Sequence, residues 1–444
     1  MSALKKILSA KVGAATLGVF AAASVALACC GAEGALGFMK YYAAIGTVGA
    51  FAAVCLVRAV CDRPLLRPAL LFHLGFALVL GGWTYNELCG TPGGYLQLRA
   101  GQTGQVDDAF NLSVRDFRIE RYPDTGTVSQ YRCQAEIEAP GEPVQPVEIS
   151  VNHPLVKKGW WVYQSSYQEM ENPHTGGTVY FTILECVKDV GLPSAAAGAL
   201  LLMLAALWWA VRLTRAGSGG ASVADDGHGA QPSTMSRIVW SLYGLAFAGA
   251  VAMLVHRGLA TGHPPMQNLY EFLMCAAALV PVLTFVSARC DRQNTLLVDA
   301  LLLALVMIPV GFVMDGRVKH LMPALQSPFF VPHVGSYVLG YILLVRAAMG
   351  AGVRLVGAGF FLLTVGLVLG AAWGKVCWGH WWQFDPKEMW SLATWFVYAA
   401  YFHLRPRLSA KAQRAFLIAG AVMVVLTLTW INLSRLFTGM HSYA

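Results

Sequence analysis

The chain has 444 residues, 56% of them hydrophobic and only 13% charged, with a net charge of +8 at pH 7. A soluble globular protein carries about a quarter of its residues charged, so an ordinary soluble enzyme is excluded, and the basic excess must first be sorted by side of a membrane before any nucleic acid is invoked. The ten cysteines include no C-x-x-C pair and no C-x-x-C-H, which excludes a thioredoxin-like redox motif and a c-type cytochrome.

Apolar runs of about 18 residues or more, enough to cross a hydrocarbon core of about 30 Å, recur along the chain. They predict a polytopic α-helical membrane protein with about 11 transmembrane helices: 12–30, 39–60, 68–86, 193–212, 237–256, 269–287, 295–313, 334–350, 355–373, 386–404 and 413–433. The first run also has the form of a signal peptide, with Ala26-Leu27-Ala28 before Cys29 as its cleavage site. An uncleaved anchor is the preferred reading, and neither choice changes the later topology.

Residues 87–192 alternate with period two, as in "NLSVRDFRIERY" and "TVYFTILECV", which predicts an extracytoplasmic β-rich domain. Residues 214–236 are a Gly/Ser-rich cytoplasmic linker. The expected organisation is three helices in 1–86, the β-domain in 87–192, a fourth helix in 193–213, the linker, and a seven-helix part in 237–444. Lys5 and Lys6, Arg58, Arg63 and Arg67, Arg212, Arg215 and Arg237, Arg289 and Arg292, Arg346 and Arg354, and Arg405, Arg407, Lys411 and Arg414 fall on one side by this count. That side is the cytoplasm, of a multi-pass cytoplasmic (inner) membrane protein.

The loop before the tenth span lies on the other side. It reads "WGHWWQFDPKEMW", and Trp373, Trp378, Trp381, Trp382, Trp390 and Trp395 are six of the chain's thirteen tryptophans. An interfacial aromatic belt spreads one or two rings over each helix end; a cluster this dense suits a wide, flat, apolar ligand. Asp385, Pro386 and Glu388 have capping-box spacing, so helix capping and direct ligand contact both stand as readings of the acidic pair.

Polar groups in a membrane are costly and usually functional. His333 and His441 flank the tryptophan loop on its side, an arrangement that suits two axial imidazoles on a heme iron between aromatic walls. His380, inside the loop, competes as a ligand. His73 and His403 lie in the inner leaflet, one in each half of the chain, and read either as a second axial pair or as two separate interfacial histidines. His153, His174, His256, His263 and His320 read as solvated or structural.

"WGHWWQFDPKEMWSLATWFVYAAYFHLR" resembles the tryptophan-rich WWD segment of heme-handling proteins of cytochrome c maturation, in particular the Ccs/Res type called system II. "TGHPPMQNLYEFL" and "LQSPFFVPHVGSYVLGY" resemble the same family's seven-helix part, and "FHLGFALVLGG" and "VNHPLVKKGWWVYQSSYQ" resemble its partner subunit, so the chain looks like a fusion of the two. Phe384 stands where that family usually has a tryptophan, and the β-domain and linker are short for a fused member. The resemblance implies a cytochrome c synthase. Heme b would enter at His73 and His403 and move to His333 and His441. There it would be held by Trp373, Trp378, Trp381, Trp382, Phe384, Asp385 and Trp390 for attachment to the CxxCH cysteines of apocytochrome c. Thiol-reducing proteins and membrane lipid are the further partners implied. No acid–base dyad or nucleophile stands out in the sequence, and a heme transporter or chaperone serving a separate ligase is the alternative.

Overall fold

The computed structural model describes residues 68–171, 176–216, 234–290, 295–312, 316–350, 354–383 and 385–433. The expected spans at 12–30 and 39–60 and most of the linker lie outside these residues. Among the described residues the chain forms nine α-helices and eight strands: α1 Pro68–Cys89, β1 Thr91–Leu98, β2 Thr103–Val106, β3 Phe110–Arg121, β4 Val128–Glu138, β5 Gln145–Ser150, β6 Leu155–Lys157, β7 Trp160–Glu171, β8 Thr178–Lys188, α2 Leu192–Ala216, α3 Thr234–Thr261, α4 Leu269–Cys290, α5 Leu296–Phe312, α6 Phe330–Ala348, α7 Arg354–Trp378, α8 Pro386–Leu404 and α9 Ala410–Leu433.

Six of these helices, α2, α3, α4, α6, α7 and α9, contain stretches long and apolar enough to cross a membrane. The expected eleven crossings are therefore met at six positions among the described residues. α5 has only 17 residues, and α8 interrupts its apolar sequence with Lys387, Glu388 and His403.

The strands form two antiparallel four-stranded sheets, ordered β1-β8-β7-β6 and β2-β3-β4-β5. Their inner faces share one core, in which Leu112, Val114, Cys133, Ile149, Val162 and Leu184 are buried. Alternation puts Phe110, Leu112 and Val114 inward; a bulge between Val114 and Asp116 shifts the phase so that Phe117 is the next core residue.

α1 and α2 lead into and out of this domain and pack backbone to backbone. A Cβ on Gly75 would lie 2.8 Å from the Gly198 carbonyl, and one on Gly82 2.8 Å from the Gly191 carbonyl. Only glycine permits that approach, which is how membrane helices gain close packing without a hydrophobic driving force. The main intramembrane core then joins the two parts of the chain: Phe72 and Phe76 of α1 and Leu202 of α2 pack with Tyr341 of α6, Phe360 of α7, and Trp395, Phe396 and Tyr398 of α8.

Two buried ion pairs bind the remaining helices. Arg257 of α3 donates to Glu271 of α4 at 2.6 Å and to the Gly316 and Arg317 carbonyls. Arg346 donates to both oxygens of Asp299, at 2.6 and 2.9 Å, while the Thr284 and Thr295 hydroxyls also bond Asp299. Charge sorting counted Arg346 as a loop marker, whereas its side chain is 1% exposed. A count of basic residues is blind to Asp299, the partner that allows the guanidinium to be buried.

Candidate functional site

The histidines expected to pair in the membrane do come together. His73 of α1 and His403 in the last turn of α8 have ring centroids 5.6 Å apart and nearly perpendicular planes. His403 Nδ1 lies 2.8 Å from the Ala399 carbonyl, so it carries the proton and Nε2 the lone pair. A metal-bound imidazole is held the same way, its second nitrogen tied to a backbone carbonyl. Two imidazoles sharing one metal stand about 6 Å apart between centroids, given metal–nitrogen bonds of about 2 Å, close to the observed spacing.

His333 lies in the first turn of α6, at the end of the bundle that carries the β-domain. Its Nδ1 is 2.8 Å from the Gly366 carbonyl of α7, giving it the same tautomer as His403. Its ring stands edge-on to Tyr337 and Trp373 at 5.1 and 5.6 Å. The approach depends on Gly370, where a Cβ would lie 2.6 Å from His333 Cε1. His441 and Phe384 lie outside the described residues.

The tryptophans divide between two sides of α7. Trp373 and Trp378 stack at 5.9 Å and pack with Leu325, Phe330 and Cys377 on the His333 side. Trp381 and Trp382 instead line a cavity of about 390 Å³ between α1, α2, α7 and α8. Its walls are Val79, Leu80, Ala195, Ala199, Leu367, Val368 and Met389, with Asn86, Asp189 and Thr364 among the few polar groups. At its far end Trp395 lies nearly parallel to Phe72 and Phe76, at 5.5 and 5.7 Å, and its indole N–H donates to Thr364. Trp390 is half-buried on α8.

Asp385 and Glu388 form a capping box. The Lys387 backbone N–H donates to Asp385 at 2.8 Å, and the Asp385 backbone N–H donates to Glu388 at 3.1 Å. Helix capping is thus the visible work of both carboxylates.

The β-domain holds this region through residues the sequence reading passed over. Asp189 Oδ2 accepts from the Trp381 indole at 2.7 Å and lies 3.1 Å from Lys375 Nζ. Lys375 also donates to the Gly379 carbonyl and sits over the rings of Trp161 and Tyr163. Gly379 ends α7 at φ +84° with Tyr163 against it, so a side chain there meets strain and a tight contact. Burial, and then the carboxylates of Asp189 and Glu185, keep the Tyr163 phenol protonated far above its usual range. His380, the competing ligand candidate, is exposed, and its Nε2 lies 3.0 Å from Glu185 of β8. His320, read as solvated or structural, pairs with Asp124 at 2.7 Å and stacks on Tyr122 at 4.1 Å. Both are histidine–carboxylate pairs. Their partners lie 195 and 196 residues away, too far for any local motif to reveal. Lys375 did carry a sequence signal, as a lone cation among tryptophans.

Among the described residues, no group of three or more His, Cys, Asp or Glu side chains could hold a bare metal ion. Paired imidazoles fit a metal whose other ligands come with it.

The chain matches two protein families in different places: the ResB-like family over residues 68–188 and the Cytochrome C assembly protein family over residues 351–441. It is 29% identical over 231 residues to the cytochrome c biogenesis protein CcsA of Chlamydomonas reinhardtii, covering 44% of this chain and 64% of that relative. The CcsA of Synechococcus sp. (strain RCC307) is 29% identical over 305 residues, covering 55% of this chain and 92% of its own length. The CcsA of Prochlorococcus marinus (strain MIT 9303) is 28% identical over 333 residues, with 59% and 97% covered.

Proposed function

We infer that this chain, a fused cytochrome c biogenesis protein of the system II type that joins a ResB-like part to a CcsA-like part, moves heme from an inner histidine pair to an outer site and holds it there for attachment to apocytochrome c. The observation that carries the reading is the meeting of His73 and His403, one from each part, with ring centroids 5.6 Å apart inside the helical bundle.

Heme is the cargo, and the chain's residues hold and orient it. His73 and His403 receive the iron on the cytoplasmic side. The apolar cavity beneath Trp381 and Trp382 accepts a flat ring that water would not. His333, with Nδ1 tied to Gly366, offers Nε2 to the iron at the outer site, and His441 supplies the opposite ligand. Trp373 and Trp378 face the porphyrin there, with Trp390, Phe384 and the capped Asp385 turn completing the holder.

Attachment adds each cysteine S–H across a vinyl group. Sulfur bonds one vinyl carbon, the thiol hydrogen ends on the other, and no net oxidation occurs. The chain's contribution is proximity and orientation; the reaction takes ferrous heme, and the reduced thiols are maintained by separate thiol-reducing proteins. The arriving CxxCH histidine then takes over one axial position.

The test co-expresses the full chain with a CxxCH apocytochrome in a host lacking its own maturation genes. The purified chain should show a heme absorption spectrum, and the cytochrome should keep heme through denaturing electrophoresis. A heme-loaded chain beside an unmodified cytochrome would mean delivery to a separate ligase. A heme-free chain would sink the reading.

A further inference from the structure

The segment "VNHPLVKKGWWVYQSSYQ" resembles a partner subunit, and besides Trp161 and Tyr163, which pack at the end of α7, it reaches the His333 side. We propose that Asn152, at its start, is a positioning residue of the outer site, acting from the β-domain through the turn Pro323–Leu325 and Trp373 on His333. The inference rests on reading His333 as a ligand of the outer heme.

Asn152 sits at the tip of a tight hairpin closed by Ser150 and His153, whose backbones bond each other in both directions. It has φ +66°, a left-handed conformation that asparagine tolerates better than most residues. Its side chain is thereby aimed out of the β-domain, into the segment before α6. There Nδ2 lies 2.9, 3.1 and 3.1 Å from the carbonyls of Pro323, Ala324 and Gln326. Three carbonyls converging on one atom require a donor, so only the amino end of the amide can face them. The residue is 7% exposed, which leaves no room for water to take over. The neighbouring Val151 packs on the cluster of Leu325, Phe330 and Trp373.

The same Ala324 carbonyl that Asn152 holds also accepts the Trp373 indole N–H at 3.0 Å. Trp373 in turn stands against the edge of His333. Four groups thus lie in series: a β-domain amide, a backbone turn, an indole and an imidazole. Only the last is read as touching iron. Partners of this outer kind fix the orientation of a metal-bound imidazole, and losing one typically weakens the metal site about 10-fold or more. The arrangement also gives the ResB-like part a task at a site whose ligands all belong to the other part.

The experiment uses the full chain in detergent, loaded with heme. Asn152→Gly keeps the backbone conformation and removes the donors; Asn152→Asp keeps the shape and turns an acceptor toward the carbonyls; Trp373→Phe keeps a ring and removes the link to Ala324. Heme transfer to apomyoglobin gives the loss rate, and the Soret position and reduction midpoint report the axial ligands. Asn152→Gly should accumulate normally, lose heme about tenfold faster, and shift both the Soret band and the midpoint. Trp373→Phe should do the same, and the double variant should go no further. Proteolysis within 316–329 should quicken in Asn152→Gly whether or not heme is bound.

A heme-free wild type would defeat the reading of His333, with the proteolysis still reporting on the turn. A wild type that holds heme beside Asn152 variants with unchanged loss rate and midpoint would defeat this inference alone. So would effects of Asn152→Gly and Trp373→Phe that add independently.

Discussion

Lys375 Nζ lies 3.1 Å from Asp189 Oδ2, so a cation near the end of α7 and a carboxylate just past β8 neutralise each other across the junction of the two fused parts. Their side chains are 3% and 1% exposed, and the Trp381 indole shares the same carboxylate oxygen.

Removing one member strands the other. Lys375→Met or Asp189→Asn should destabilise the junction by about 3–5 kcal/mol, the usual cost of an uncompensated buried charge. The reversed pair, Lys375→Asp with Asp189→Lys, should recover part of it. Thermal unfolding of the full chain in detergent measures the loss. Single variants as stable as the wild type would show that the pair does not hold the junction.

The inner histidines make a separable prediction. His73→Gly and His403→Gly should each lower heme per protein severalfold at unchanged protein abundance, and added imidazole should restore part of the loss by filling the vacated position. Normal loading at normal abundance would mean that heme reaches the outer site by another route.

Gly370 tests the outer imidazole without touching it. Gly370→Ala puts a methyl group where His333 Cε1 lies 2.6 Å away. Overpacking of this kind costs about 1–3 kcal/mol. The ring must rotate off the Gly366 carbonyl, so the heme spectrum should change while heme at the inner pair persists. Gly244→Ala, where a Cβ meets nothing within 4 Å, is the control. An unchanged spectrum in Gly370→Ala would show that His333 does not depend on this approach.

Burial pushes the Cys133 thiol up to about 12 and Cys186 up to about 11, from an ordinary value of 9.0. Both raised values favour the neutral thiol in the fold. The stability they contribute is therefore complete below pH 9 and is lost as pH rises through 11 to 12. At pH 8 a maleimide should label exposed Cys89 and spare both buried cysteines. Above pH 9 the urea needed to expose Cys133 should fall. Peptide mapping by mass spectrometry separates the three sites, and prompt labelling of Cys133 at pH 8 would contradict the buried placement.

Much of the architecture is written locally. Alternation in "NLSVRDFRIERY" marks β3 because Leu112 and Val114 face one core, although the bulge that moves the phase to Phe117 leaves no such trace. Asp385 and Glu388 have capping-box spacing, and the box forms. The His73–His403 meeting was legible because helical rise gives both a depth in the same leaflet. What one dimension hides is direction around a helix: nothing in the order of the tryptophans says that Trp373 turns to His333 while Trp381 and Trp382 face the cavity. Asn152 did leave a hint, since Asn before His-Pro at a strand's end marks a turn, but which turn it would grip depends on tertiary structure.

The aromatic layer at the far end of the cavity has an electrical consequence. A membrane voltage does work of about 2.3 kcal/mol per elementary charge per 100 mV, and any continuous column of water through the bundle would spend that gradient on proton leakage. Phe72, Phe76 and Trp395, with the Trp395 indole fastened to Thr364, put tightly packed hydrocarbon between the cavity and the paired histidines. The bundle is thus insulated at this aromatic layer, and on the proposed route a porphyrin would have to part these faces, which otherwise stay closed to ions.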